Sequence, residues 1–365
     1  MKMQQLGGIA APGQALPLLH AQKWSRTARR ALAQVHLINP LWDCSGGSEW
    51  RTLSLYQELR AQCEPHLWSR YTPDPELAKR YSIRRISASA LDFPKSGTFV
   101  FVGVYFRYGK WIYLTRPQRI IIVYNTFEPE LLALHLHRLS LPGFPRVEVV
   151  YASEDAKQSA GYPGVVEPSP IDLEGFTPSR LRKPEDPMRP FTIGRLSRDV
   201  LEKHHPNDAA LYRRLADMGA RVRVMGGTCL QKSLEGVPSI ALLRTFEEDA
   251  ARFLQSLDCF YYRTSDQWVE TYGRVVVEAM ACGLPVVCHR TGGYARFIEN
   301  GRNGFLFETE AEALDIICRL KGDHGLRETI GRAARRTVEE LYSPARRRKT
   351  LEFYVPQPRR QYAGA

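Results

Sequence analysis

The stretch Glu270-Thr271-Tyr272-Gly273-Arg274-Val275-Val276-Val277-Glu278-Ala279-Met280-Ala281-Cys282-Gly283-Leu284-Pro285-Val286-Val287 decides how this chain is read. Its local logic is that of a short buried helix running into a buried strand. Gly273 stands near the helix start, Val275 to Met280 fill the helix, Gly283 caps its end, and Pro285 opens the strand. A helix start here aims free backbone N–H groups and the positive end of the helix dipole at whatever lies in front, and phosphate suits such an end. Glu270 and Glu278 are eight residues apart, roughly 12 Å along a helical path. That span is comparable with a sugar diphosphate nucleoside. Glu278, on the helix, can accept both hydroxyl protons of a ribose, and Glu270, just before it, can hold hydroxyls of a second sugar. Taken alone, the pair also reads as an exposed helix carboxylate preceded by a capping residue.

Outward from this segment, strands and helices alternate. Downstream of a proline-dense stretch, strands are expected at Phe191-Thr192-Ile193, Arg221 to Met225, Ser239 to Leu243, Cys259 to Tyr262 and Pro285 to Cys288. Helices are expected at Asp208 to Met218, Glu247 to Ser256, Tyr272 to Ala281, Glu310 to Leu320 and His324 to Leu341. Upstream, order begins at the strand Val35 to Asn39, which runs through the loop Pro40 to Ser48 into a helix ending near Leu59. Apolar strands follow at Thr98 to Val104, Arg119 to Tyr124 and Arg146 to Tyr151, separated by stretches of helical or loop character. Between Tyr162 and Pro190 prolines stand at 163, 168, 170, 178, 184, 187 and 190, a density that reads as a linker. The expectation is two doubly wound parallel α/β sheets.

Composition narrows the class. The 365 residues suggest two domains, and 44% hydrophobic with 25% charged residues argues against disorder or a fibrous fold over most of the length. The net charge of +12 arises from 51 basic residues against 39 acidic ones, so nucleic acid is not compelled. Basic runs at Lys23 to Arg30, Lys79 to Arg85, Arg107 to Arg119 and Arg346 to Lys349 read as solvated faces or as contacts to anionic lipid or a phosphorylated acceptor. Seven scattered cysteines, without a CxxC pair, fit free thiols in a reducing compartment. No stretch reaches the roughly 18 apolar residues of a membrane span. The apolar patch Leu6 to Leu19 is broken by Pro12 and Pro17, against a secretory signal. A cytoplasmic location is expected, with at most a peripheral contact to an anionic membrane.

The Glu270 to Val287 segment resembles the E-x7-E signature of glycosyltransferase family 4, retaining enzymes of the GT-B type, with its EAMA-x-G-x-PVV tail intact. Ile193-Gly194-Arg195-Leu196 with Lys203 resembles a second motif, whose Arg and Lys neutralise the donor diphosphate in the family; Arg198 competes with Lys203 for that role. Gly46-Gly47-Ser48-Glu49 resembles the family's glycine-rich loop after the first strand, which permits close approach to the diphosphate. Ser169 to Asp172 with Phe176 and Pro178 resembles the linker. Val224-Met225-Gly226-Gly227 and Leu243-Arg244-Thr245-Phe246 resemble the segments that cradle the base. The resemblance runs over roughly residues 35 to 355, dense after 190 and thin before it.

The family's histidine near the reacting centre is not carried over, because Tyr124-Asn125-Thr126 stands after the corresponding strand; Asn125 is an acceptor-contact candidate by position alone. His135 and His137 lie in a Leu-rich helical pattern and read as packing or solvent-facing residues.

The resemblance implies a GT-B architecture, two Rossmann-like domains facing a central cleft. Residues 1–34 form an extension, 35–185 the acceptor-side domain and proline-rich linker, 186–342 the donor domain, and 343–365 a helix crossing back to the first domain and a tail. It implies a retaining glycosyltransferase that moves a sugar from a nucleotide-diphosphate-sugar donor to a saccharide or lipid-linked acceptor in surface polysaccharide or glycolipid synthesis. No cofactor and no nucleic acid are expected, and no metal either, since no DxD-like motif for a metal-bound diphosphate is evident. Arg195, Lys203 and Glu270 are the catalytic candidates. Gly46, Gly47, Arg195, Lys203, Gly226, Arg244, Thr245, Phe246, Glu270, Thr271, Tyr272, Gly273 and Glu278 are the donor-binding ones. A nucleotide-sugar epimerase on the same scaffold, or a non-catalytic nucleotide-sugar or polyanion binder, are the alternatives.

Overall fold

The strand Gln34–Ile38 (β1) is third from one edge of a seven-stranded sheet in which every pairing is parallel. The structure is a computed structural model, and it describes residues 34–43, 46–178 and 189–355. The expected extension over residues 1–34, apart from Gln34, and the tail after residue 355 therefore lie outside the described residues.

After β1 come the helix Gly47–Leu59 (α1), Glu64–Ser69 (β2), the helix Pro75–Arg80 (α2), Ile83–Arg85 (β3), Ser96–Val102 (β4) and Arg116–Tyr124 (β5). The helix Pro129–Leu139 (α3), Val147–Tyr151 (β6), the helix Glu154–Ala160 (α4) and Val165–Val166 (β7) complete the series. The spatial order is β3-β2-β1-β4-β5-β6-β7. Strands β4 and β5 are near-continuous apolar runs because a parallel sheet is covered on both faces.

Two readings of this part are corrected. The region between α1 and β4 holds β2 and β3 as well as helix and loop. Polar Glu64 and His66 hide β2 from a composition scan, yet it pairs along the length of β1 and buries Leu67 and Trp68. The proline-dense stretch is not linker from its start, because Val165 and Val166 pair with Val150 and Tyr151. This two-residue strand sits at the sheet edge, the one place where flanking prolines are tolerated.

The second sheet has six parallel strands in the order β10-β9-β8-β11-β12-β13. They are Thr192–Leu196 (β8), Arg221–Met225 (β9), Ile240–Leu243 (β10), Cys259–Tyr262 (β11), Val286–His289 (β12) and Phe305–Phe307 (β13). Between them run the helices Asp208–Asp217 (α5), Gln231–Leu234 (α6), Ala250–Gln255 (α7) and Arg274–Ala281 (α8). Two longer helices follow, Glu310–Gly322 (α9) and His324–Leu341 (α10). Helix α7 starts later than its pattern suggests. Phe246 turns the chain in a left-handed conformation (φ 62°), and the Asp249 side chain then caps the helix by accepting from Arg252 N at 3.0 Å. Likewise α8 begins at Arg274, not Tyr272, because Gly273 is left-handed (φ 78°).

The chain divides into two compact units. Among the described residues one comprises 34–170 and 342–355, the other 171–341. The switch at Ile171 assigns the described end of the proline-rich stretch to the second unit. There Arg335 donates from one guanidinium nitrogen to both Phe176 O (2.6 Å) and Ala281 O (2.8 Å). The last helix, Pro344–Tyr354 (α11), packs in the first unit, where Leu351 and Tyr354 join the core beside Val100, Val102, Ile121 and Val123. Tyr354 is wholly buried and donates to Glu167 Oε2 at 2.7 Å, and Arg347 pairs with Glu58 at 2.8 Å. No helix among the described residues is long and apolar enough to cross a membrane. The six described cysteines are free.

Candidate functional site

In a doubly wound sheet the winding reverses at one point, and the loops leaving the carboxyl ends of the two strands there open a crevice. In the second unit that point lies between the neighbours β8 and β11. The loop after β8 supplies Arg198 and Lys203, and the loop after β11 supplies Trp268 and Glu270.

These residues meet. Lys203 Nζ lies 2.6 Å from Glu270 Oε2, and the Tyr262 hydroxyl donates to the same oxygen at 2.9 Å. The two charged side chains are only 9% and 20% exposed. Burial by itself would raise the Glu270 carboxyl, but the Lys203 ammonium and the hydrogen bonds from Lys203 and Tyr262 hold it below the usual carboxylate range. Burial pulls the Lys203 ammonium below its ordinary value, and Glu270 opposes the shift. Arg198 stands within electrostatic reach of both. The Trp268 indole lies against the two cations, its centroid 4.4 Å from Lys203 Nζ and 5.3 Å from Arg198 Cζ. The site thus carries two cations, one partly open carboxylate and an aromatic face.

Arg195 is set differently from its neighbours. It is fully buried, and its guanidinium donates to the backbone carbonyls of Lys203 and Arg263 and lies 3.4 Å from Asp208 Oδ2. Asp208 also accepts from Arg263 at 2.7 Å and from the Tyr261 hydroxyl at 2.9 Å. Arg195 therefore ties the β8 loop to the β11 loop from inside the domain, and the half-buried cation at the sheet edge is Arg198.

The helix α8 begins where Gly273 demands glycine twice over. Its φ is left-handed, and a Cβ there would stand 2.4 Å from Tyr294 Cδ1. Glu278, one turn in, is 2% exposed and pairs with Arg274 Nε at 2.8 Å. Burial raises its carboxyl above the usual range, against the pull of Arg274. Thr271 and Tyr272 are buried between Glu270 and the helix. The loop after β12 fixes them, since Gly293 N donates to Glu270 O at 2.8 Å and a Cβ at Gly293 would stand 1.9 Å from Thr271 O. At the helix end Leu284 N donates to Ala279 O at 3.1 Å across left-handed Gly283, a six-to-one closing bond.

The other second-unit candidates lie at the same sheet edge but farther along. Gly226, after β9, is left-handed, and a Cβ there would stand 1.9 Å from Ser197 O; its carbonyl accepts from His204 Nε2 at 2.8 Å. His204 is pushed down to about 3 by burial and by Arg195. Arg244, Thr245 and Phe246 follow β10, two strands from β8, with Phe246 half exposed.

Gly46, Gly47 and Asn125 belong to the first unit. Gly46 precedes α1, where a Cβ would stand 2.0 Å from Glu49 Oε2, whereas Gly47 has open space on its Cβ side. A Cβ on Gly103, at the end of β4, would stand 3.6 Å from Ser48 Cβ and 3.9 Å from Asn125 Oδ1. The glycine loop and Asn125 thus share the carboxyl edge at β1 and β4, the switch point of that sheet. His135 is buried, bonded to Tyr108 OH and Val104 O at 2.7 Å each, and His137 is exposed.

Sequence reasoning missed Trp268, Tyr262, Asp208 and the Gly292-Gly293 pair. The glycine pair just after an expected strand was the one signal available. The buried carboxylate Asp208 stood in the sequence as the first residue of an ordinary helix.

Residues 233–337 match the family described as glycosyl transferases group 1. The chain is 30% identical over 188 residues to the sulfoquinovosyl transferase SQD2 of Arabidopsis thaliana, covering 47% of this chain and 35% of that one. It is 30% identical over 217 residues to a D-inositol 3-phosphate glycosyltransferase of Paenarthrobacter aurescens (strain TC1), covering 52% and 50%. The matched segments thus span half or less of these relatives' lengths. The crystal structure of Anabaena Alr3699/HepE in complex with UDP-glucose superposes with a TM-score of 0.69 at 16% identity, covering 88% of this chain and 98% of that one. The chain thus has the GT-B fold, with residues 233–337 matching the glycosyl transferases group 1 family.

Proposed function

We propose that this chain is a retaining glycosyltransferase of family 4 that moves a sugar from a nucleotide-diphosphate-sugar donor to a saccharide or lipid-linked acceptor without a metal. The observation that carries the reading is the Lys203–Glu270 pair, ordered by Tyr262 at the β8/β11 switch point, with Glu278 buried on the helix that follows.

Each group has a role that its setting supports. Glu278 accepts the ribose hydroxyl protons, which its buried carboxylate can do while Arg274 keeps it oriented. Arg198 and Lys203 hold the diphosphate and stabilise the charge that grows on the leaving phosphate; fixed cations do this without reorganisation. Glu270 orients hydroxyls of the transferred sugar and keeps Lys203 in place. Arg195 acts from behind by holding the Lys203 carbonyl, a positioning role instead of the direct phosphate contact its motif implies. Gly226, Arg244, Thr245 and Phe246 serve the base, and Thr271 to Gly273 bring the helix start to the phosphates. Gly46, Gly47 and Asn125 serve the substrate from the first unit, with Asn125 toward the acceptor. The chain works in the cytoplasm, with a peripheral membrane contact when the acceptor is lipid-linked.

The testing experiment incubates the protein with α-linked UDP-, GDP-, ADP- and dTDP-sugars in a chelator, with and without a mixture of saccharide acceptors. Slow release of nucleoside diphosphate that accelerates with acceptor, and an α-linked product by NMR, is the expected result. Conversion of the donor to its epimer without acceptor would instead assign the chain to the epimerases. Activity lost in chelator and restored by a divalent cation would overturn metal independence, and a β-linked product would overturn retention.

A further inference from the structure

Trp268 lies in the exposed part of the loop after β11, with more than a third of its surface open to solvent. Exposure of one indole is ordinary by itself; what sets Trp268 apart is how it is held and what its face meets. Its backbone is held on both sides: Trp268 N donates to Ser265 O at 3.0 Å, and Thr264 Oγ1 donates to Trp268 O at 2.6 Å. The same loop is tied to the segment that carries Lys203, because Ser265 donates to Glu202 O from its backbone at 3.2 Å and from its hydroxyl at 2.9 Å. So the indole is placed by hydrogen bonds among Thr264, Ser265, Trp268 and Glu202, and its face meets two cations from a different loop, Lys203 and Arg198.

Two like charges so placed repel, and each long side chain would otherwise sample many rotamers. Glu270 hydrogen-bonds Lys203 and reaches Arg198 only electrostatically. The aromatic face attracts both cations through its quadrupole without neutralising either, which leaves their charge available to an anion.

We infer that Trp268 is a positioning residue that presets Lys203 and Arg198 as a pair for the diphosphate of the donor. The inference rests on the proposed reading of this site as a nucleotide-sugar site. It predicts that the π face matters and not the bulk: phenylalanine substitutes, and leucine does not.

The test measures binding of UDP, GDP, ADP and dTDP to the full chain by calorimetry, for wild type and for Trp268→Phe, Trp268→Leu and Trp268→Ala. Each variant's melting temperature without nucleotide is the control for folding. The expected result is that the nucleotide bound by wild type binds Trp268→Phe within about threefold, and Trp268→Leu and Trp268→Ala about tenfold more weakly, with melting temperatures close to wild type. Equal affinity in all four proteins would overturn the inference while leaving the site intact. Equal weakening in Phe and Leu variants would also overturn it, since it would assign Trp268 to packing. Binding of none of the four nucleotides to wild type would instead remove the underlying reading, and the inference with it.

Discussion

The two sheets are wound alike. From β1 to β6 and from β8 to β13 the strands follow the same order, with the reversal between β1 and β4 in one and between β8 and β11 in the other. Their carboxyl edges nevertheless carry different chemistry. At the second edge, charges are paired and fixed: Lys203 on Glu270, Arg274 on Glu278, and Asp208 beneath them holding Arg263 and Arg195. The first edge sets amides and rings beside buried Glu49 and exposed Arg70 and Arg107. Asn39 bonds Val102 O and Leu41 N at 2.8 Å each, and Trp42, half exposed, leans on Tyr71 with centroids 4.9 Å apart. Winding therefore delivers a loop cluster to one edge, and the residues on those loops determine what it can hold. Fixed, paired charges at the second edge suit an anionic ligand.

The sharpest way to break this contrast is to remove the buried carboxylate of Glu278. Glu278→Ala is expected to weaken donor binding by about 100-fold, as the loss of two hydrogen bonds to a charged group implies, while Asn125→Ala leaves donor affinity within about twofold. Calorimetry with the preferred nucleotide sugar compares them, and comparable losses in both variants would erase the distinction between the edges.

Next in size is the stability of the pair itself. Glu270→Gln leaves Lys203 buried without its counter-charge and should lower unfolding free energy by about 2–3 kcal/mol, discounted for the partial exposure of Glu270. The dependence on pH has a definite sign. The Glu270 carboxyl is held below its ordinary range, so its contribution is fully present above the unfolded-state value near ~4.3 and is lost as pH falls through the lower folded value. The stability difference between wild type and Glu270→Gln, followed by urea unfolding, should be flat above about pH 5.5 and shrink in acid. A difference that grew in acid would mean that Lys203 does not hold the carboxylate.

The smallest effect belongs to the first unit. Tyr354→Phe removes one hydrogen bond to buried Glu167, leaving Arg51 at 3.5 Å as its ion-pair partner. About 1–2 kcal/mol of stability should be lost, with donor affinity unchanged. A matching fall in donor affinity would show that the first unit's core governs the second unit's site.

What the sequence made legible follows from how local each signal is. The strand and helix periods of β4, β5, β9 and β11, and the glycine-punctuated helix α8, are written in consecutive residues, and the structure has them close to where they are read. β2 was hidden because its burial comes from pairing with β1, which no window of sequence contains. The candidate site was legible where a motif is contiguous, from Glu270 to Glu278. Arg195, whose motif implies a diphosphate contact, is fully buried with Asp208, thirteen residues on, at its guanidinium, a setting no contiguous motif displays. Trp268 escaped notice because its partners sit on another loop, some 65 to 70 residues away in the chain.

The most direct test of the central claim, that the second unit's charged edge is a nucleotide-sugar site, is ligand-induced thermal stabilisation. Wild type and Glu278→Ala are melted with UDP-, GDP-, ADP- and dTDP-sugars in the presence of a chelator. The account predicts a rise in melting temperature with one donor class that disappears in Glu278→Ala. No rise with any donor, or a rise that survives the substitution, would contradict it.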